Sequence, residues 1–172
     1  MALFANKQKK IQELGQRYEK ASKLGYNEAA NTQVQIINDL CDIGSEEAFS
    51  KIEHIIATGS SRDYMSFAIP EILGEQIREI LEEVDFVVQQ PSSCLKLMRV
   101  LDVLLKATHQ GQNLTIRNEC TRQIRAQSKD CKKVLMEYRA LLIANEEDPR
   151  INGQSLIQLI TDFSKKLQVA TT

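Results

Sequence analysis

The sequence predicts an all-α protein, and three observations support this prediction. Only 7 glycines and 3 prolines occur among 172 residues, about half the usual share of these turn-forming residues. Apolar residues recur at steps of three and four through most of the chain, which is the spacing of an amphipathic helix. The Gly/Pro-bounded, Val/Thr/aromatic-rich runs that all-β domains need are missing. We therefore expect about 70% helix, well above the globular average of about one-third.

Length and composition indicate one helical domain over residues 1–172. A chain of this size buries about two-thirds of its unfolded surface, so its core needs no disulfide or metal. No Pro/Gly/Ser linker divides it, and no signal-like start or long apolar run is present. The 4 cysteines lie in apolar helical positions without a C-x-x-C pair. We therefore expect free thiols and a cytoplasmic location.

The first three helices have recognisable start and stop signals. A basic amphipathic helix is predicted over 7–24, ending at Gly25, and a second over about 28–43. Gly44 follows the second helix, where glycine favours a left-handed C-cap. Ser45 can then cap a third helix, which ends at Gly59. The simplest arrangement is an antiparallel pair joined by a very short turn.

Prolines punctuate the middle of the chain. Pro70 suits the first turn of a helix over 70–89. Pro91 is predicted to end that helix, with Ser92 and Ser93 capping the next one. The remaining predicted segments, which bring the total to eight or nine helices, are 64–68, 94–108, 114–124, 129–144 and 154–168.

The segment 94–108 is apolar nearly all round, which predicts a central helix packed on both flanks. Asp102 is the one acid in the chain with aliphatic residues on both sides. A buried carboxylate must be paired or neutral. Arg99 and Lys106 lie three residues before and four residues after it, on the same helical face. We therefore expect local ion pairs here rather than a catalytic acid.

Composition argues against several functional classes. The net charge is −1, whereas nucleic-acid-binding modules are usually far more basic. The two histidines, His54 and His109, lack metal-ligand spacing, and no phosphate-binding glycine loop or zinc-protease motif occurs. The sequence therefore predicts a protein that is not an enzyme, holds no cofactor and does not bind nucleic acid.

Charge is nevertheless distributed unevenly along the chain. Residues 1–25 and 117–139 each carry a balance of +4, and residues 71–85 carry −5. A candidate surface for an anionic partner comprises Lys7, Lys9, Lys10, Arg17, Arg122, Arg125, Lys129, Lys132 and Lys133. A candidate surface for a basic partner comprises Glu75, Glu79, Glu82 and Glu83. The alternative interpretation is that these are ordinary solvated helix faces.

Two parts of the chain resemble known helical domains. The turn Leu40–Ala48 (LCDIGSEEA) resembles the inter-helix turn of HEAT and armadillo-type repeats. Residues Leu95–Lys106, the basic helices after them and the segment 148–153 (DPRING) before the last helix resemble the second half of epsin N-terminal homology and VHS domains. These resemblances imply a compact α-α superhelix of eight to nine helices.

The predicted function is a non-catalytic protein–protein interaction module, an adaptor or scaffold that binds a peptide or partner domain in grooves between successive helices. The alternative is a peripheral membrane-trafficking adaptor. In that case Ile11, Leu14 and Tyr18 of the first helix would enter an anionic lipid interface while its lysines meet the headgroups. The same apolar stripe would also suit a helix docked on the next hairpin, so the sequence leaves both functions open.

Overall fold

The computed structural model describes residues 2–58, 68–83, 90–110 and 113–172. Of these residues 86% are helical, which confirms the all-α prediction. Within these ranges each helix is too short or too polar to cross a membrane. The elements formed by the described residues are α1 (Ala2–Ala21), α2 (Tyr26–Ile43), α3 (Glu46–Thr58), α4 (Ala68–Glu82), α5 (Pro91–Gln110), α6 (Leu114–Ala144), β1 (Arg150–Ile151), β2 (Gln154–Ser155) and α7 (Leu156–Thr171). Most of the predicted segment 64–68 and the end of the predicted helix 70–89 lie outside the described residues.

The predicted signals between α2 and α3 are confirmed. Gly44 adopts a left-handed conformation with φ of 62°, and its N–H donates to the Leu40 carbonyl. The Ser45 hydroxyl accepts a hydrogen bond from the Ala48 N–H at 3.3 Å. Gly25, however, does not end α1, which stops at Ala21; it lies instead at the N-cap of α2.

The predicted capping of the next helix by Ser92 and Ser93 is wrong. Pro91 is itself the first residue of α5, whereas the predicted end of the preceding helix lies outside the described residues. The fixed φ of Pro91 suits this position, and the N–H that proline lacks would have no partner in the first turn of a helix. Ser92 and Ser93 consequently lie inside the first turn. The N–H groups of Ser93 and Cys94 both donate to the Gln90 carbonyl.

The two helices predicted over 114–124 and 129–144 are one continuous helix, α6. The intervening residues 125–128 (RAQS) include no glycine or proline, and the remaining residue types cost too little helix propensity to end a helix. The side chain of Asn113 caps its start by accepting from the Thr115 N–H at 2.9 Å. At 1.5 Å per residue, α6 is about 46 Å long.

A short hairpin positions the last helix. β1 and β2 are antiparallel, and Asn152 and Gly153 between them have φ of 50° and 80°. Positive φ at both positions is the geometry of a tight two-residue hairpin turn. Ser155 then caps α7 by accepting from the Gln158 N–H at 3.2 Å.

The helices pack mainly on their near neighbours along the chain. α1 packs on α2 and α3; α2 packs on α3 and α4; α3 packs on α5. α4 packs on α5 and α6; α5 packs on α6 and α7; and α6 packs on α7. One hydrophobic core extends from α1 to α7. Leu97, Leu101 and Leu104 of α5 are fully buried, so the prediction of a central helix at this position is confirmed.

The four cysteines are free and buried, as the sequence predicts. Burial raises the pKa of each of the four thiols to about 12. Reactive thiols are usually partly exposed and have a lowered pKa. These thiols therefore serve as small apolar side chains in the core.

Candidate functional site

Charged side chains of α3, α5 and α7 form one network on the surface of the central helix. Arg99 of α5 donates to Glu46 at 2.7 Å and also donates to Glu53, both of α3. The Arg99 guanidinium lies 3.6 Å from the Asp102 carboxylate. Burial opposes the charge of Arg99, but the hydrogen bonds to Glu46 and Glu53 outweigh it, so the pKa of Arg99 is raised. These bonds fasten α5 to α3.

Asp102 is the centre of the other half of this network. Lys106 lies 3.1 Å from one of its carboxylate oxygens, and Lys166 of α7 donates to the other. Burial opposes ionisation of Asp102, but the hydrogen bonds from Lys166 and Lys106 outweigh it and lower the pKa of Asp102. The predicted ion pairs with Arg99 and Lys106 are confirmed. The network therefore balances three acidic side chains with three basic ones.

A groove of about 810 Å³ lies beside the network, between the C-terminal ends of α5 and α7 and the N-terminal half of α6. Its lining combines apolar side chains with basic ones and contains no acidic residue. Ligand pockets in proteins commonly measure about 300–1,000 Å³ and combine an apolar lining with a few placed polar groups. We call it the basic groove; its lining residues are Leu105, Lys106, Thr108, His109, Arg117, Thr121, Ile124, Lys165, Lys166, Val169 and Ala170.

The cations of the basic groove differ in how far they are already neutralised. Lys106 and Lys166 are held by carboxylates of the network. The Arg117 Nε donates to the Thr108 carbonyl at 3.2 Å. In the part of the chain that the structure describes, neither Arg117 nor Lys165 has a carboxylate partner. These two side chains therefore supply the net charge that an anionic group would meet.

The predicted basic residues of α1 are exposed, but its apolar stripe is not. Ile11, Leu14 and Tyr18 are no more than 6% exposed, because α1 packs on α2 and α3. The apolar stripe therefore packs α1 on the hairpin of α2 and α3, which is one of the two roles that the sequence left open for it. The exposed basic residues of α1 in the predicted surface are Lys7, Lys9, Lys10 and Arg17.

The other predicted basic residues lie on α6, in a different part of the fold. α6 packs on α4, α5 and α7, whereas α1 packs on α2 and α3. Lys132 is half-buried and donates to the Gln168 side chain at 2.7 Å, and Arg122 is paired with Glu119. The exposed members of this group are Arg122, Arg125, Lys129 and Lys133.

The predicted acidic surface lies along the solvent side of α4. Glu75, Glu79 and Glu82 are exposed on the helix, and Glu83 follows its end. The opposite side of α4 is buried and approaches α6 closely at Gly74, whose carbonyl accepts from the Gln127 amide at 3.2 Å. The acidic residues therefore remain on one helix surface, as the sequence predicts.

The sequence alone does not predict the basic groove. Arg117 is one of several basic residues in the segment 117–139, and Lys165 and Lys166 belong to no recognisable motif. The adjacent lysines on α7, without an acid next to them, were the available signal. These lysines do not indicate a groove by themselves, because the groove forms only where α5, α6 and α7 meet.

Among the described residues, His, Cys, Asp and Glu side chains do not gather into a group that could hold a metal ion. No protein-family model matches the chain, and no curated protein or solved structure is found to be similar to it. The basic groove and the exposed helix faces are therefore the basis for assigning a function.

Proposed function

We propose that the chain is a non-catalytic protein–protein interaction module, an adaptor or scaffold, whose basic groove binds a partner segment with acidic and apolar side chains. The observation that supports this function is the combination of two unneutralised cations with an apolar lining. An acidic side chain would pair with Arg117 or Lys165, and an apolar neighbour would pack on Leu105 or Val169. Electrostatic complementarity of this kind directs association and fixes the register of the partner.

The proposed architecture is an α-α superhelix of eight to nine helices, of the HEAT, armadillo or VHS type. It is supported by the packing of each described helix mainly on the next one or two along the chain. Stacks of this kind create extended surfaces and grooves that bind partners. A cytoplasmic location belongs to the same proposal, and the four free, buried thiols support it.

Reversing the charge of the two unneutralised cations tests the groove. The immobilised chain is incubated with an extract of its source cells, and the retained proteins are quantified by mass spectrometry. The double variant Arg117→Glu/Lys165→Glu should retain at least about tenfold less of the specific partner, because two lost charge contacts of about 1 kcal/mol each exceed the 1.4 kcal/mol of a tenfold change.

The matched control carries the same charge change away from the groove. Lys20 is exposed in the last turn of α1 and Lys23 is exposed just after its end, so Lys20→Glu/Lys23→Glu should retain the partner as the unmodified chain does. Circular dichroism melts would show that both variants fold. Equal retention by the groove variant and the control would refute binding through the groove.

Contact of α1 with an anionic membrane is a second candidate function. Leu3 and Phe4 are 78% and 63% exposed, shortly before Lys7, Lys9 and Lys10. Because the stripe farther along α1 is buried, insertion would involve Leu3 and Phe4. This function predicts sedimentation with anionic liposomes at physiological salt and its loss when the three lysines become glutamate, since each basic residue near the surface contributes about 1 kcal/mol. An absence of sedimentation, or sedimentation that the charge reversal leaves unchanged, would contradict it.

A further inference from the structure

A second surface, separate from the basic groove, lies along the outer side of α6. Arg122, Lys129 and Met136 follow one another every seven residues, and Ile143 continues the series. Residues at this spacing lie nearly in line along a helix. We call this surface the α6 face; its residues, all exposed, are Arg122, Arg125, Lys129, Lys133, Met136, Ala140 and Ile143.

The α6 face has a basic half and an apolar half. In the basic half, Arg125, Lys129 and Lys133 have no carboxylate partner among the described residues. In the apolar half, Met136 and Ile143 are 37% and 48% exposed. These two side chains lie on the same side of α6, so that a partner could contact both of them together with the basic half.

We propose that the α6 face binds an amphipathic α-helix of a different protein, with acidic side chains in one half and large apolar side chains in the other. This inference goes beyond the function proposed for the groove, since it concerns other residues and another partner element. The 19 residues from Arg125 to Ile143 extend over about 27 Å, the length of a five-turn helix. Ala140, an exposed residue with a small side chain, lies between Met136 and Ile143, and a small residue at such a position lets the side chains of a second helix approach closely.

Neither the acidic helix α4 nor the exposed start of α1 in a second copy matches both halves of the α6 face. The acidic helix α4 buries its apolar side chains, since Ile69, Leu73 and Ile77 are fully buried. The solvent side of α4 therefore presents acidic side chains but lacks the large exposed apolar side chains that the apolar half of the α6 face would need. The exposed Leu3 and Phe4 of α1 adjoin lysines, which the basic half of the α6 face would repel. The proposal therefore takes a helix of a different protein as the occupant, because its acidic half would complement the basic half of the α6 face.

The test is selection of peptides by the full-length chain. The probe is a display library of 20-residue segments patterned as amphipathic helices, with the charged positions randomised between acidic and basic residues. We expect the enriched segments to carry Asp or Glu in one half and Leu, Ile, Met or Phe in the other. Selection on the variant Lys129→Glu/Lys133→Glu should enrich Lys and Arg at the same positions.

Two further variants locate the binding site of the enriched segments. Met136 and Ile143 are exposed, so the double variant Met136→Glu/Ile143→Glu should still fold. It should bind the enriched segments about tenfold more weakly or worse, because apolar anchors dominate helix docking. The groove variant Arg117→Glu/Lys165→Glu should bind these segments as the unmodified chain does, so that a failure of the groove function leaves this result unaffected. The proposal is overturned by the absence of enrichment, by a charge preference that does not invert, or by a dimer in light scattering that Met136→Glu/Ile143→Glu dissociates.

Discussion

Leu101→Ala is expected to lower the free energy of unfolding by about 2–5 kcal/mol, the range for removing a large aliphatic side chain from a packed core. Leu101 is 0% exposed, and α5, which carries it, packs on α3, α4, α6 and α7. Neighbours fixed on several sides relax little into a cavity, so the loss should approach the upper part of that range. Equilibrium unfolding in urea measures it.

Leu114→Ala is the control for this prediction. Leu114 is 65% exposed at the start of α6, and the same truncation there should change the free energy of unfolding by no more than about 0.5 kcal/mol. If Leu101→Ala were as mild as Leu114→Ala, α5 would not be packed on both sides. Its apolar surface would then be available to a partner.

Asp102→Asn is expected to destabilise the protein by about 1–3 kcal/mol near neutral pH, because the amide leaves two lysines without their shared carboxylate. Asp102 is 19% exposed and contacts Lys106 and Lys166. Its pKa is lowered in the folded protein relative to the ordinary value of 3.8. The carboxylate therefore stabilises the fold above that value, and the contribution is lost as the pH falls through the lowered pKa.

The measurement is urea unfolding of both proteins at about pH 7 and at about pH 3 or below, where the difference between them should shrink towards zero. Asp130→Asn serves as the control, since Asp130 is exposed on α6 and has no ion pair within the described residues. If the two proteins differed in free energy of unfolding by the same amount at both pH values, the effect of Asp102→Asn would come from packing and not from the lost charge.

The local signals that predicted the fold act within one turn of helix. Gly44 and Ser45 end one helix and start the next through contacts with residues three or four positions away. Such contacts depend on residue type and spacing alone. A local signal with two meanings led to an error: Ser92 and Ser93 were expected to cap the helix after Pro91, but a proline can also begin a helix, and Pro91 begins α5.

The sequence by itself determined the all-α class, the buried stripe of each helix and the central position of α5, because each depends on residue spacing within one segment. Only the tertiary structure decided that Lys166 reaches Asp102 across 64 positions and that Arg117 and Lys165 border one groove. These placements depend on how the helices cross, which many side chains determine together through packing. Which charges are neutralised and which remain free for a partner follows from those crossings, and so the candidate sites emerged from the fold.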